Sequence, residues 1–419
     1  LYWMQQAQRA EFNHALEYAV EQANARRLPV MAAFALTSFP EANRRHYQFM
    51  LEGLRETQRR LAARGIGFCL RQGPPGEVLP GLAKDAALLV GDIGYLRVQR
   101  QWRTAVAQRI SCPFALVETD AIVPVTEASD HAEFAARTLR PKIHRKLAEF
   151  LKPLKPLPVA VPAAGIAKRS LPLDDPAALC RRLGVHAGQP PSRHLAGGLS
   201  AANKLFDRFL RHRLADYAEE SDDPALDGCS HMSAYLHFGQ VSPLDIARRV
   251  QKADVPRAAR DAYLEQLIVR RELSLNACWF NAGYDRYETL PAWALKTLDR
   301  HRRDRREFTY TRAQWEAGAT HDPCWNAAQA EMVRSGQMHN YMRMYWGKKI
   351  LEWSRTPEEA FETALFLNNK YELDGRDPNG FAGVGWCFGL HDRPWTERPV
   401  YGTVRYMNAN GLRRKFDIQ

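Results

Sequence analysis

Between Lys152 and Pro176, six of 25 residues are proline. Each proline ring fixes φ and removes a backbone donor, so this stretch holds neither a regular helix nor a central strand. It reads as an extended connector over residues 151–194, and both a stiff wrap around one domain and a free tether fit it. The connector divides the chain into two parts with different hydrophobic periods.

Residues 1–150 alternate short apolar runs with amphipathic segments. Pro29 to Leu36, Ile66 to Leu70, Ala87 to Val90 and Phe114 to Val117 have the length and composition of buried strands. Tyr2-Trp3-Met4 reads as the stub of a first strand. Tyr47, Met50, Leu51, Leu54 and Leu61 recur at helical spacing from Glu41 to Arg64, and Phe12, Leu16, Ala19 and Val20 share the face of an earlier helix. Strands alternating with helices imply a parallel sheet covered on both faces. Beyond about Leu195 the pattern turns helical. Leu205, Phe209 and Leu214 mark one segment, and Tyr263, Leu267, Leu273 and Cys278 another. Ala327 to Trp353 reads as one further segment, and Pro357 to Asn369 as the next. The expected fold class is α/β plus all-α: residues 1–150, the connector 151–194, and a helical domain 195–419.

At 419 residues, two or three domains are expected. The 59 Lys+Arg against 47 Asp+Glu leave a formal charge of +12, which suits a polyanion such as nucleic acid and suits a solvated basic surface equally well. No apolar run approaches the ~18 residues of a membrane span, and Leu1 to Met4 show no secretory pattern. Seven cysteines stand singly with no C-x-x-C pair, which argues against a zinc ribbon or a disulfide framework and points to a reducing cytoplasm.

Several chemical motifs fail on inspection. Gly383-Val384-Gly385 has no preceding strand and no surrounding βαβ unit, so a dinucleotide fingerprint is rejected. His321, Cys324 and His339 lack metal-ligand spacing, so no metal is expected. Trp325, Trp346 and Trp353 lie close in sequence, and the last two are two helical turns apart on one face. Core packing is the simpler explanation of those indoles unless a redox cofactor lies beside them. From Asp374 to Gly380, then through Trp386 and His391 to Trp395, the chain carries exposed-looking loop chemistry. The flat faces of Trp386 and Trp395 with Arg393 suit an unstacked base as well as they suit a loop wall.

Taken together, Tyr2 to Arg9, Tyr235 to Gln240, Leu267 to Leu273 and Leu373 to Trp395 resemble class II cyclobutane pyrimidine dimer photolyases, in order along nearly the whole chain. The resemblance implies a Rossmann-like N-terminal domain and a C-terminal helical domain that binds FAD. It assigns Tyr217, Ser230, Met232, Ser233 and Arg270 to the FAD diphosphate. Asn340, Arg343, Asp374 and Asn368 would surround the isoalloxazine, with Asn368 rather than Asn379 near N5. Trp346, Trp325 and Trp353 would form a photoreduction chain, in that order outward. Met344, Trp386, Arg393 and Trp395 would receive a flipped dimer from UV-damaged DNA. The resemblance also allows a second, light-harvesting chromophore of deazaflavin or folate type in the N-terminal domain.

One position departs from the family pattern. The residue before Leu267-Ile268-Val269 is usually a glutamate that bonds the dimer, and here it is Gln266. A protonated carboxyl donates a hydrogen bond or a proton, whereas an amide donates only the hydrogen bond. Glu265 does not substitute for it, because one residue turns a helix by about 100°. Light-driven dimer repair by a monomeric enzyme, weakened by Gln266, is therefore the expected function. The rivals are a cryptochrome-like photoreceptor, disfavoured by the short stretch after the helical domain, and a flavin-bearing DNA-binding protein without turnover.

Overall fold

The computed structural model describes residues 1–163, 170–185 and 188–417. The first part of the chain alternates strand and helix: β1 (Tyr2–Trp3), α1 (His14–Arg26), β2 (Met31–Leu36), α2 (Arg44–Ala63), β3 (Gly67–Gln72), α3 (Pro75–Ala83), β4 (Leu89–Asp92), α4 (Arg97–Ala107) and β5 (Phe114–Val117). Every strand read from sequence is present within two residues, and Tyr2–Trp3 is the centre of the sheet. The five strands run parallel in the order β3-β2-β1-β4-β5. The chain builds outward from β1 to β3, then returns to β4 on the other side. That reversal makes a topological switch point beyond the carboxyl ends of β1 and β4.

Helix starts follow local chemistry. The Asn13 side chain accepts from the Leu16 amide at 3.0 Å to begin α1. Asn43 and His46 form a reciprocal capping box on α2. At the switch point, Asp92 is buried yet satisfied: its carboxylate accepts from the amides of Gln5, Gln6 and Ala7 and from the Tyr2 hydroxyl.

The connector wraps the α/β domain. Ala163 N donates to Gly65 O and Leu171 N to Leu70 O, so the connector lies along β3, an otherwise open sheet edge. Leu173, Leu179 and Cys180 join the core built on β2 and α2. It also contains α7 (Pro176–Arg182), after α5 (Val125–Ala128) and α6 (Ala136–Phe150). Residues 164–169 and 186–187 of the connector lie outside the described residues.

The helical half comprises α8 (Leu199–His212), α9 (Tyr217–Glu220), α10 (Ser233–His237), α11 (Pro243–Lys252), α12 (Arg257–Leu264), α13 (Arg271–Phe280), α14 (Ala292–Arg300) and α15 (Arg312–Ala317). It continues through α16 (Pro323–Ser335), α17 (Asn340–Trp353), α18 (Pro357–Tyr371), α19 (Pro378–Cys387) and α20 (Ala409–Lys415). Two sequence expectations change here. Ala327 to Trp353 is two helices, because Gly336 ends α16 at φ 80° and its carbonyl accepts from Leu373 N. The segment through Tyr263 and Leu273 is interrupted by a π-helical turn, Glu265–Arg270, between α12 and α13. Such turns are rare and frequent at functional sites.

Buried polar contacts tie the halves together. The Arg45 guanidinium, projecting from α2, donates to the carbonyls of Met332, Val333 and Tyr371 at the ends of α16 and α18. Arg271 bonds Asp120, and Glu272 accepts from the amides of Ile122 and Val123.

Candidate functional site

The π-helical turn aims its residues differently from an ordinary helix. Gln266 is exposed and borders an open cavity of about 650 Å³, whose wall also includes Tyr217, Ser230, Met232, Ser233, Arg271, Asp374 and Asn379. Glu265 turns away. Arg140 grips it with two nitrogens at 2.7 and 3.0 Å, and Arg270 lies 3.3 Å from it. The cavity therefore meets Gln266 and not Glu265.

The polar wall is built from buried partners. Tyr263 donates to Ser230 Oγ at 2.9 Å and packs edge-on against Tyr217. Burial pushes both phenols well above the ordinary tyrosine value. Asp377 caps α19 through the Asn379 amide at 2.8 Å. Burial would raise its carboxyl, but the hydrogen bond and charge of His237, 3.1 Å away, together with Arg271 hold it below the usual range.

Arg270 does not join this wall. It is exposed and engaged with Glu265, while the neighbouring Arg271 is buried at the cavity. Asn368 and Asn379 also differ in position. Asn379 borders the cavity, whereas Asn368 is fully buried, bonds Asn369 and sits against Gly380. The stretch Asp374 to Asp377, expected to be exposed, is buried: Arg376 is 3% exposed and reaches His46 of the other half.

Helix α17 packs behind the cavity wall, where Arg343 meets Asp374, and carries two further groups. Asn340 is exposed at its first turn. Arg343 lies 3.3 Å from Asp374 and 3.2 Å from Glu372, a carboxylate that is fully buried and has no hydrogen-bond partner. Burial would lower the Arg343 guanidinium, but Asp374 and Glu372 outweigh it and hold it charged. One turn on, Trp346 donates from its indole to Gln329 and stacks on Trp325 at 6.2 Å and 8°. Trp325 donates to the Trp346 carbonyl. Trp353, two turns beyond Trp346, is 4% exposed and is reached from Trp325 through Trp315.

Also on α17, Lys348 lies 4.9 Å from the Trp386 ring and donates to the Cys387 carbonyl. Burial draws this ammonium down to about 8. Arg405 stands over both Trp386 and Trp395, at 5.4 and 4.9 Å, and Arg393 covers Trp395 at 5.1 Å. Two indole faces are thus bracketed by three cations, with Trp395 40% exposed. Met344 shares this neighbourhood through its carbonyl, 3.9 Å from Cys387 Sγ. Arg405 and Lys348 escaped the sequence reading because nothing in their local spacing marks them. Trp315 could have been found by counting tryptophans from 315 to 353.

A second cavity, of about 860 Å³ including open solvent, lies at the switch point of the sheet, bordered by Trp3, Gln5, Gln8, Phe39, Tyr47 and Trp102. Gln5 Nε2 and Gln8 Oε1 are buried there without partners.

A family model described as DNA photolyase matches residues 1–162. The chain is 46% identical to a deoxyribodipyrimidine photo-lyase of Methanothermobacter thermautotrophicus, over all of this chain and 92% of the relative. It is 41% identical to one from Arabidopsis thaliana, over all of this chain and 87% of the relative. The fold matches a Synechocystis cryptochrome with a TM-score of 0.73 at 15% identity, covering 96% of this chain and 84% of that one. Identity at this level, over the whole of this chain and most of each relative, leaves one conclusion: the chain belongs to the DNA photolyase family.

Proposed function

We propose that this protein repairs cyclobutane pyrimidine dimers in DNA in a light-driven reaction, as a class II enzyme of its family. The observation that carries the reading is the placement of α17, which carries Trp346 of the stacked indoles and Lys348 beside Trp386, and whose Arg343 pairs with Asp374 on the wall of the Gln266 cavity. FAD fits the cavity by the chemistry of its wall. Hydroxyls from Tyr217 and Ser233 with the buried Arg271 suit a diphosphate, and the Asn379 amide and the Asp374 carboxylate, paired behind the wall with Arg343, suit a polar ring edge. Bound and reduced, FAD would supply light absorption and the single electron that opens the cyclobutane ring and is then recovered.

The chain's own residues do the rest. Trp386 and Trp395 stack the flipped bases, Arg393 and Arg405 hold the phosphates beside them, and the buried Lys348 supports the Trp386 ring from within. Gln266 donates a hydrogen bond to the dimer but supplies no proton. Arg343, held charged by Asp374 and Glu372, stabilises negative charge on the flavin side. The switch-point cavity is the place for a second, light-harvesting chromophore, with Gln5 and Gln8 as its polar contacts. The protein acts as a monomer in the cytoplasm, with access to DNA.

The absorption spectrum of the purified protein, before and after chemical reduction, tests the scheme. A flavin spectrum that bleaches on reduction is expected, with an additional band if the switch-point cavity is filled. A flavin-free spectrum from folded protein contradicts the proposal.

A further inference from the structure

We propose that Trp315 is a fourth member of the electron relay, carrying charge between Trp325 and Trp353. The proposal rests on the reading of Trp346, Trp325 and Trp353 as a photoreduction chain, and adds a residue that no motif marks. The rings form an unbroken ladder. Trp346 and Trp325 lie 6.2 Å apart at 8°, Trp325 and Trp315 4.8 Å apart at 58°, and Trp315 and Trp353 6.2 Å apart at 9°. Trp315 is 1% exposed, so water does not solvate a charge placed on it. Overlap between aromatic rings falls steeply with separation, so an electron moves between rings in contact. The contacts from Trp325 toward Trp353 run through Trp315.

Each hop moves one electron inward. Trp346 gives one electron to the photoexcited oxidised flavin, Trp325 refills Trp346, Trp315 refills Trp325, and Trp353 refills Trp315. A soluble thiol restores the outermost indole, losing one electron to the relay and one proton to water. The cation of Lys349 lies 5.3 Å from the Trp353 ring, although Glu352 pairs with it, while among the described residues no cation covers Trp315. A positive hole is therefore disfavoured at Trp353, so Trp353 refills Trp315 slowly and the hole lasts longest at Trp315.

Flash-induced absorption of indole radicals in the FAD-loaded protein tests this, with Trp346→Phe, Trp315→Phe and Trp353→Phe compared. Trp346→Phe should remove the indole radical altogether; if the radical persists there, the relay reading itself fails, and the proposal with it. With Trp346→Phe silent, Trp315→Phe should lose the long-lived radical while Trp353→Phe keeps it. Unchanged yield and lifetime in Trp315→Phe overturn the proposal, because the electron then passes Trp315 by. Trp315→Tyr fills the same space and should replace the indole signal with a tyrosyl one that appears more slowly in D2O, since phenol oxidation releases a proton. An indole radical unchanged in that variant contradicts the role. Near-ultraviolet circular dichroism of the FAD-free protein reads the stack independently: the coupled indole bands should weaken in Trp315→Phe, and an unchanged spectrum overturns the geometry.

Discussion

At the scale of single residues, the cavity-facing amide and the cations around the tryptophans make separable predictions. Gln266 offers a hydrogen bond without a transferable proton, so Gln266→Glu should raise the repair yield per absorbed photon while leaving DNA affinity unchanged. Matched-light quantum yields check this, and equal yields would show that the amide does not limit repair. Arg405 covers two indole faces, and each such contact is worth about 0.5–2 kcal/mol. Arg405→Ala should weaken binding of dimer-containing DNA roughly 5- to 30-fold. It should also reduce the slope of log affinity against log salt by about 1, as expected for one lost phosphate partner. Anisotropy titrations across salt give both numbers, and an unchanged slope would place Arg405 away from the DNA. The residues that could be read from sequence were those inside long family motifs, such as Trp386 and Asp374. Arg405 and Lys348 could not be read, because their roles come from contacts made in three dimensions and not from spacing, and the same holds for the choice of Arg271 over Arg270 at the cavity.

Among elements, the strands were legible because buried parallel strands are short, apolar and punctuated, and all five stand where the apolar runs predict. The interruption in the Ala327 to Trp353 segment was not legible, because its hydrophobic pattern continues across Gly336. That glycine has φ 80°, and a Cβ on it would lie 3.0 Å from Leu373 and 3.1 Å from Arg45. Gly336→Ala should therefore cost about 1 kcal/mol or more of stability, and loosen the Arg45 contacts with the end of α16. A denaturant midpoint equal to wild type would contradict the strained turn. At the opposite end, Asp322 caps α16 by accepting from the amides of Cys324 and Trp325. Asp322→Ala should destabilise by about 0.5–2 kcal/mol, and more if the buried Tyr345 hydroxyl that it also accepts is left unpaired.

For the whole molecule, the seam between the two halves is a set of buried charges that no local sequence pattern reveals. Glu272 sits in that seam. Burial raises its carboxyl to about 8, against opposing hydrogen bonds from Ile122 and Val123 and the charge of Arg271. A carboxyl raised in the folded state binds its proton more tightly there than in the unfolded chain. Its stabilising contribution is complete below the ordinary glutamate range and is lost as pH rises toward about 8. The thermal midpoint should therefore fall as pH rises from about 4.5 to about 8 and level off above that, and Glu272→Gln should flatten the fall while keeping an acceptor for the two amides. A slope identical in the variant would remove Glu272 as its source. The +12 charge is a whole-chain sum in the sequence; the structure places two of its cations, Arg393 and Arg405, around Trp386 and Trp395.

The most direct measurement uses the flavin-loaded, reduced protein with an oligonucleotide carrying one cyclobutane dimer, followed by chromatography of the strand after light or dark. The account predicts tight binding in both conditions and restoration of the two pyrimidines only in the light. Binding without light-dependent restoration would contradict it and would point to a photoreceptor or a passive damage-binding protein.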